Sequence, residues 1–274
     1  MKRVDGEPAA KMQPLLKWPG GKRSILGSLL PLVSANYCTY YEPFFGGGAL
    51  FFAIQPPRAF LSDNNPDLID CYVQVRDHAD QVIERLAMLK NTEREYYQVR
   101  DNVPADPMAK AARLIYLVTL SFNGIHRLNL KGEFNVPYGY KTYLEPCDPV
   151  RIRAASAALS RAEIACADFE TAVSSARKGD LIYLDPPYTV SHGNNGFLKY
   201  NARIFSWNDQ VRLSKLAQRL SRRGCQVIVS NANHPSIVDL YRPFRMRLVE
   251  RVSRIAASRE FRRRITECIF YNEV

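Results

Sequence analysis

Histidine is scarce in this 274-residue chain, and cysteine is never paired closely. The six cysteines stand at positions 38, 71, 147, 166, 225 and 268, none in a CxxC spacing, and the four histidines do not cluster with them. A zinc ribbon, a redox dithiol and a disulfide framework are therefore not expected, and no metal site is predicted. No apolar run approaches the ~18 residues of a bilayer-spanning helix. The opening "MKRVDGEPAAKMQP" lacks the apolar core of a secretory signal. These absences predict a soluble, cytoplasmic protein with reduced thiols and no membrane partner.

Positive charge is in excess. The formal net charge is +11, which points to a polyanionic partner such as nucleic acid. In "RLSKLAQRLSRR" (212–223), Arg212, Lys215, Arg219 and Arg222 share one helical face, with Leu213, Leu216, Ala217 and Leu220 on the other. Residues 242–264 carry nine arginines against Glu250 and Glu260. Arg212, Arg219 and the group Arg259, Arg262, Arg263 and Arg264 are candidate phosphate contacts, which give affinity but no sequence information.

Hydrophobic periodicity reads as an α/β chain. "NYCTYYEPF" (36–44), "RAFLSD" (58–63), "AEIACADF" (162–169), "GDLIYLD" (179–185) and "CQVIVSN" (225–231) are strand-like, and several end in an acid. Glycine turns and amphipathic helices separate them, the grammar of a doubly wound sheet. "RMRLVERVSRI" and "RRITECIFYN" form a predicted closing hairpin. Residues 76–150 interrupt the pattern with helices, then with short stretches punctuated by Asn-Gly, Lys-Gly and Tyr-Gly, which predict a hairpin. The expected organisation is one catalytic domain from 1–75 and 151–274, with an insert at 76–150.

Three segments bear chemistry. "EPFFGGGALFF" matches a dinucleotide fingerprint at Gly46 and Gly48 but has Phe51 at the third glycine position, so nicotinamide binding is disfavoured. A glycine turn still lets a ligand approach the backbone, and Asp63, 17 residues on, suits ribose hydroxyls. "LKWPGGKRS" resembles a phosphate loop but has Leu16 for the first glycine and Arg23 for the Ser or Thr. It places Trp18 and Lys22 around a turn. "DLIYLDPPY" (180–188) ends a buried strand in Asp185 and a rigid Pro-Pro pair. A planar base with an exocyclic amine suits it: Asp185 and the Pro186 carbonyl can each accept an amine hydrogen while Tyr188 stacks on the ring.

In this order, "LKWPGGK", "YEPFFGGGALFF", "LSDNNPDLI", "CADF" and "DLIYLDPPY", with "FNGIHRLNLKGEFNVPYG" in the insert, resemble the Dam-type DNA adenine-N6 methyltransferases over nearly the whole chain. One departure is "FFGGG", where relatives often carry another residue between two glycines. The resemblance implies a Rossmann-like methyltransferase sheet, S-adenosyl-L-methionine as cofactor and double-stranded DNA as partner. It implies that Trp18, Lys22, Glu42, Phe44, Gly46, Asp63, Asp168, Phe169 and Asp185 bind cofactor. It implies that Asp185, Pro186 and Tyr188 act on a flipped-out adenine, and that Asn123 and Arg127 contact DNA. The segment 189–207 resembles the loop after the catalytic tetrapeptide. A GATC-like site follows from resemblance alone, as does room for a restriction-endonuclease partner. The residues themselves leave cytosine-N4 or RNA-base methylation open, and a non-catalytic DNA-binding regulator too. They do not fix the oligomeric state.

Overall fold

The computed structural model describes residues 12–189, 205–252 and 264–273. Seven strands form one sheet: β1 (Tyr40–Glu42), β2 (Ala59–Asp63), β3 (Ala162–Cys166), β4 (Leu181–Leu184), β5 (Gln226–Ala232), β6 (Arg245–Val252) and β7 (Arg264–Tyr271). Their order is β3-β2-β1-β4-β5-β7-β6. β1 to β5 are parallel, and β7 runs antiparallel between β5 and β6. Chain order reverses between β1 and β4, the position at which open α/β sheets bind their ligands.

Strand alternation builds two apolar layers. Tyr40, Leu61, Leu181, Tyr183, Ile228 and Ile269 face one cluster, whereas Tyr41, Ile182, Leu184, Val227, Val229 and Phe270 face the other. Both faces are buried, which is why these strands read as continuous apolar runs. The first layer is covered by α1 (Leu26–Leu29), α2 (Ala49–Ile54), α3 (Pro66–Asp77) and α7 (Pro149–Leu159). The second is covered by α8 (Phe169–Ala172), α9 (Trp207–Arg222) and α10 (Pro235–Leu240).

Between α3 and α7 come α4 (Ala79–Ala87), α5 (Glu93–Asp101) and α6 (Pro107–Leu120), then the predicted hairpin, held by bridges Ser121–Tyr138 and Leu128–Phe134. Leu86, Tyr96, Tyr116 and Leu117 of this segment share one apolar cluster with Tyr40 and Leu181 of the sheet. The hairpin is thereby mounted on the same core that holds the strand ends.

Helix starts follow a repeated local rule. Asn65, Asp106, Asp148 and His234 each cap a helix through the side chain, and each is followed by proline. The cap accepts an otherwise unpaired N–H, and proline lacks the N–H that the first helical position cannot satisfy.

Candidate active site

The carboxyl ends of β1, β2 and β4 bring Glu42, Asp63 and Asp185 close enough for the last two to act electrostatically on the first. Asp63 accepts the Gly46 N–H at 3.0 Å and the Asn65 N–H at 3.0 Å. Gly46 and Gly48 have φ of +47° and +63°, values that favour glycine, and the Tyr72 hydroxyl donates to the Gly46 carbonyl at 3.0 Å. Trp18 lies on this turn: a Cβ on Gly46 would sit 3.0 Å from its ring.

Asp185 is bound by Lys22, whose Nζ stands 2.9 Å from Oδ1; their side chains are 16% and 5% exposed respectively. The same ammonium donates to the Gly20 carbonyl at 2.8 Å and lies 4.8 Å from the centre of the Tyr188 ring. The "PGGK" turn thus delivers a cation to the tetrapeptide, although the phosphate-loop pattern fails.

Glu42 is buried and accepts the Tyr40 hydroxyl at 2.8 Å. Burial pushes its carboxyl well up; the Tyr40 hydrogen bond pulls it down, and the charges of Asp185 and Asp63 add to the push. Burial also raises Asp63, against hydrogen bonds from the Gly46, Asn65 and Asn64 backbone. Burial thus favours the neutral forms of Glu42 and Asp63, whereas Asp185 has the Lys22 ammonium beside it.

Asp168 and Phe169 stand at the start of α8. β3 ends at Cys166, and Asp168 caps α8 by accepting the Glu170 N–H at 3.0 Å. Phe169 is buried between Phe44 and Phe205, with ring centroids at 5.6 and 5.8 Å. Arg212 covers its ring at 4.7 Å and pairs with Asp168 at 3.1 Å.

Arg212 and Arg219, the candidate phosphate contacts on α9, are engaged by acids. Arg212 also pairs with Glu170 at 2.9 Å and Asp209 at 2.9 Å, and Arg219 pairs with Glu170 at 2.8 Å. Sequence pattern showed the basic face but not the acids that α8 brings across it. Arg259, Arg262 and Arg263 lie outside the described residues, as does the side chain of Arg264; so does most of the 189–207 segment.

The hairpin holds Asn123 at φ +55° and leaves Arg127 exposed. Arg127 Nε donates to Asn135 Oδ1 at 2.8 Å. Lys17 Nζ donates to the Asn123 carbonyl, and His126 stacks on Trp18 with centroids 4.5 Å apart. The hairpin therefore sits directly against the turn that carries Lys17 and Trp18. Burial, with Arg113 nearby, lowers His126 to about 4, so the stacked ring is neutral at neutral pH.

Sequence reasoning missed Gln210, Asn231 and Glu267, all essentially inaccessible. The signal was present for two of them: Gln210 falls on the apolar stripe of α9 with Leu213 and Leu220, and Glu267 interrupts the apolar "ITECIF" of β7.

Strand order, the acid-rimmed switch point and the rigid tetrapeptide define a Rossmann-like methyltransferase. The model of the D12 class N6 adenine-specific DNA methyltransferases matches residues 18–255, and the chain belongs to that family. The type II methyltransferase M1.LlaDCHI of Lactococcus lactis subsp. cremoris is 36% identical over 271 residues, covering 95% of each chain. A DNA adenine methylase of Haemophilus influenzae is 31% identical, covering 98% of this chain and 96% of its own. The retron Ec67 DNA adenine methylase of Escherichia coli is 32% identical, covering 94% and 90%. The protein is thus an enzyme that methylates adenine N6 in DNA, which resolves the cytosine, RNA and regulator alternatives. Among the described residues no helix is long and apolar enough to cross a membrane, and no group of three His, Cys, Asp or Glu could hold a metal.

Proposed function

We propose that the chain uses S-adenosyl-L-methionine to methylate an adenine turned out of duplex DNA, with Asp185, Pro186 and Tyr188 holding the base. The observation that carries this reading is the Lys22–Asp185 pair set beside Glu42 and Asp63 at the switch point. The Asp185 carboxylate there offers a negative partner to the cofactor's sulfonium. Bound, that cofactor supplies an electrophilic methyl group. The Gly46 turn, Trp18 and Asp63 form its floor, with Glu42 and Phe44 behind them, and Asp63 takes ribose hydroxyls. Asp168 and Phe169 border the base end once Arg212 shifts.

The adenine amine is a poor nucleophile because its lone pair is delocalised into the ring. Asp185 and the Pro186 carbonyl each accept one of its hydrogens, which favours a pyramidal nitrogen with its lone pair available. Extrusion of the base costs a few kcal/mol, offset by stacking on Tyr188 and these hydrogen bonds. Methylation leaves N6 cationic, and the Asp185 carboxylate stabilises that charge in a water-poor cleft before a proton departs. The 76–150 segment serves target recognition, with Asn123 and Arg127 facing DNA.

Asp185→Ala is the direct test. Methyl transfer to duplex DNA is expected to vanish, with duplex affinity retained; full transfer in that variant removes the reading. A raised melting midpoint with S-adenosyl-L-methionine tests the cofactor separately. A GATC-like target belongs to the same proposal, and modification-aware sequencing of DNA from expressing cells reads the site. The type II name of the Lactococcus relative favours a companion restriction endonuclease, tested by protection of methylated DNA from digestion.

A further inference from the structure

Tyr188 is held at both ends by groups that come from distant parts of the chain. At its backbone end, Gln210 Nε2 of α9 donates to the Pro187 carbonyl at 3.2 Å, fixing the peptide plane that carries the Tyr188 N–H. At its side-chain end, the Tyr188 hydroxyl donates to Glu267 Oε2 of β7 at 3.1 Å. The amide of Gln210 is oriented without ambiguity. The Pro187 carbonyl only accepts, so Nε2 must face it; Oε1 then accepts Asn231 Nδ2 of β5 at 2.9 Å. Asn231 Oδ1 in turn accepts the Ala232 N–H at 2.8 Å.

Gln210 and Asn231 are 0% exposed and Glu267 is 1% exposed. A buried amide or carboxylate destabilises a fold unless hydrogen bonds offset its desolvation. Apolar residues of similar volume would fill these positions in α9, β5 and β7 at lower cost. What the polar groups accomplish is specific: together they fix the plane of one aromatic ring and the peptide before it. An aromatic side chain has two torsions, and anchoring both its peptide and its hydroxyl leaves one orientation.

We propose that Glu267 and Gln210, the latter braced by Asn231, are positioning residues for methyl transfer that hold Tyr188 and the Pro187 peptide in register with Asp185. This rests on the reading of the Asp-Pro-Pro-Tyr segment as the target-base site. It adds that the antiparallel hairpin of β6 and β7, an appendage to the parallel sheet, contributes to catalysis by presenting Glu267 at the rim. Preorganisation of this kind acts on the chemical step, because a base misplaced by ~1 Å can cost 10²-fold in rate. It leaves cofactor and duplex affinity largely alone.

The test uses the full chain with cofactor and a duplex carrying its methylation site. Glu267→Leu and Gln210→Leu are expected to lower kcat at least 10-fold, with Kd for duplex and for S-adenosyl-L-methionine within about 3-fold of wild type. Glu267→Gln retains an acceptor and is expected to keep kcat within about 3-fold. With 2-aminopurine at the target position, Glu267→Leu is expected to alter the fluorescence of the extruded base at unchanged DNA saturation. Tyr188→Phe removes the same hydrogen bond from its other end, so the Tyr188→Phe, Glu267→Leu double variant should be no slower than the slower single variant. Multiplying penalties, or wild-type kcat in Glu267→Leu and Gln210→Leu, overturn the proposal. Should Glu267→Leu fail to fold, Tyr188→Phe decides: wild-type kcat there overturns it. The Asp185→Ala measurement keeps the two readings apart, since an inactive Asp185→Ala beside a fully active Glu267→Leu sinks only the positioning role.

Discussion

Lys22 Nζ lies 2.9 Å from Asp185 and 4.8 Å from the centre of the Tyr188 ring, so one ammonium meets the first and last side chains of the proposed catalytic tetrapeptide. It is the counter-ion of Asp185, whose charge also bears on the buried Glu42. Lys22→Met is expected to cut methyl transfer at least 10-fold and to shift the acidic limb of its pH–rate profile upward. The sign follows from charge: without the cation at 2.9 Å the ionised form of Asp185 is less favoured, so activity is lost sooner as pH falls. Lys22→Arg keeps the charge and should retain part of the rate. An unmoved acidic limb in Lys22→Met would show that the ammonium does not set the charge state of the site.

The His126–Trp18 stack makes stability depend on pH. Burial lowers His126 in the folded chain to about 4, against an ordinary value of 6.5. The unfolded chain therefore binds the additional proton first as pH falls, and stability present above pH 6.5 is progressively lost toward pH 4. Treated as a single site, the loss between pH 7 and pH 5 is about 2 kcal/mol. His126→Phe retains a ring against Trp18 and removes the titration. Urea unfolding of the two proteins at pH 7 and pH 5 checks this: the wild type should lose more stability than the variant over that interval. Equal losses would locate the acid sensitivity elsewhere.

The legibility of the site tracks how local its determinants are. Glu42, Asp63 and Asp185 were readable because each stands at or just past a strand end, where apolar alternation meets a turn signal. The closing hairpin was readable from its two long β runs. The end of β3 was drawn past Cys166 to Asp168 because a helix of four residues gives almost no periodic signal, so a capping aspartate looked like the end of a strand. The engagement of Arg212 and Arg219 was invisible: their partners Asp168 and Glu170 are more than 40 residues away and meet them only when α8 packs beside α9. Gln210 and Glu267 broke an apolar pattern, which marks a buried polar group but does not name what it holds.

Those same ion pairs yield a prediction about DNA. A cation already shared among acids releases few counter-ions when a phosphate approaches, because it must first leave its partners. The logarithm of duplex affinity falls linearly with the logarithm of salt, by about 0.9 per phosphate neutralised. Arg212→Ala and Arg219→Ala are each expected to change that slope by well under one. Binding titrations across a salt series measure it. A slope reduced by about one in either variant would mean that DNA pulls the guanidinium away from Glu170 to reach a phosphate.

Arg127 presents the opposite case, an exposed guanidinium with a polar neighbour that orients it. Asn135 Oδ1 accepts from Arg127 Nε at 2.8 Å across the hairpin, and the Asn135 carbonyl lies 3.4 Å from a terminal nitrogen. Holding one edge of the fork directs the remaining donors outward. A guanidinium so fixed can bond O6 and N7 of guanine together, a pairing that discriminates by ~1–3 kcal/mol against other bases. Arg127→Ala is therefore expected to relax site choice by roughly 10-fold or more at one base pair while total duplex affinity changes less. Asn135→Ala should be a milder copy with the same altered position, since it frees the side chain without removing it. Methylation rates on a set of duplexes, each with one substituted base pair, distinguish the cases. A uniform fall across every duplex would identify Arg127 as a phosphate contact, and a wild-type profile in Asn135→Ala would show that the asparagine does not aim it.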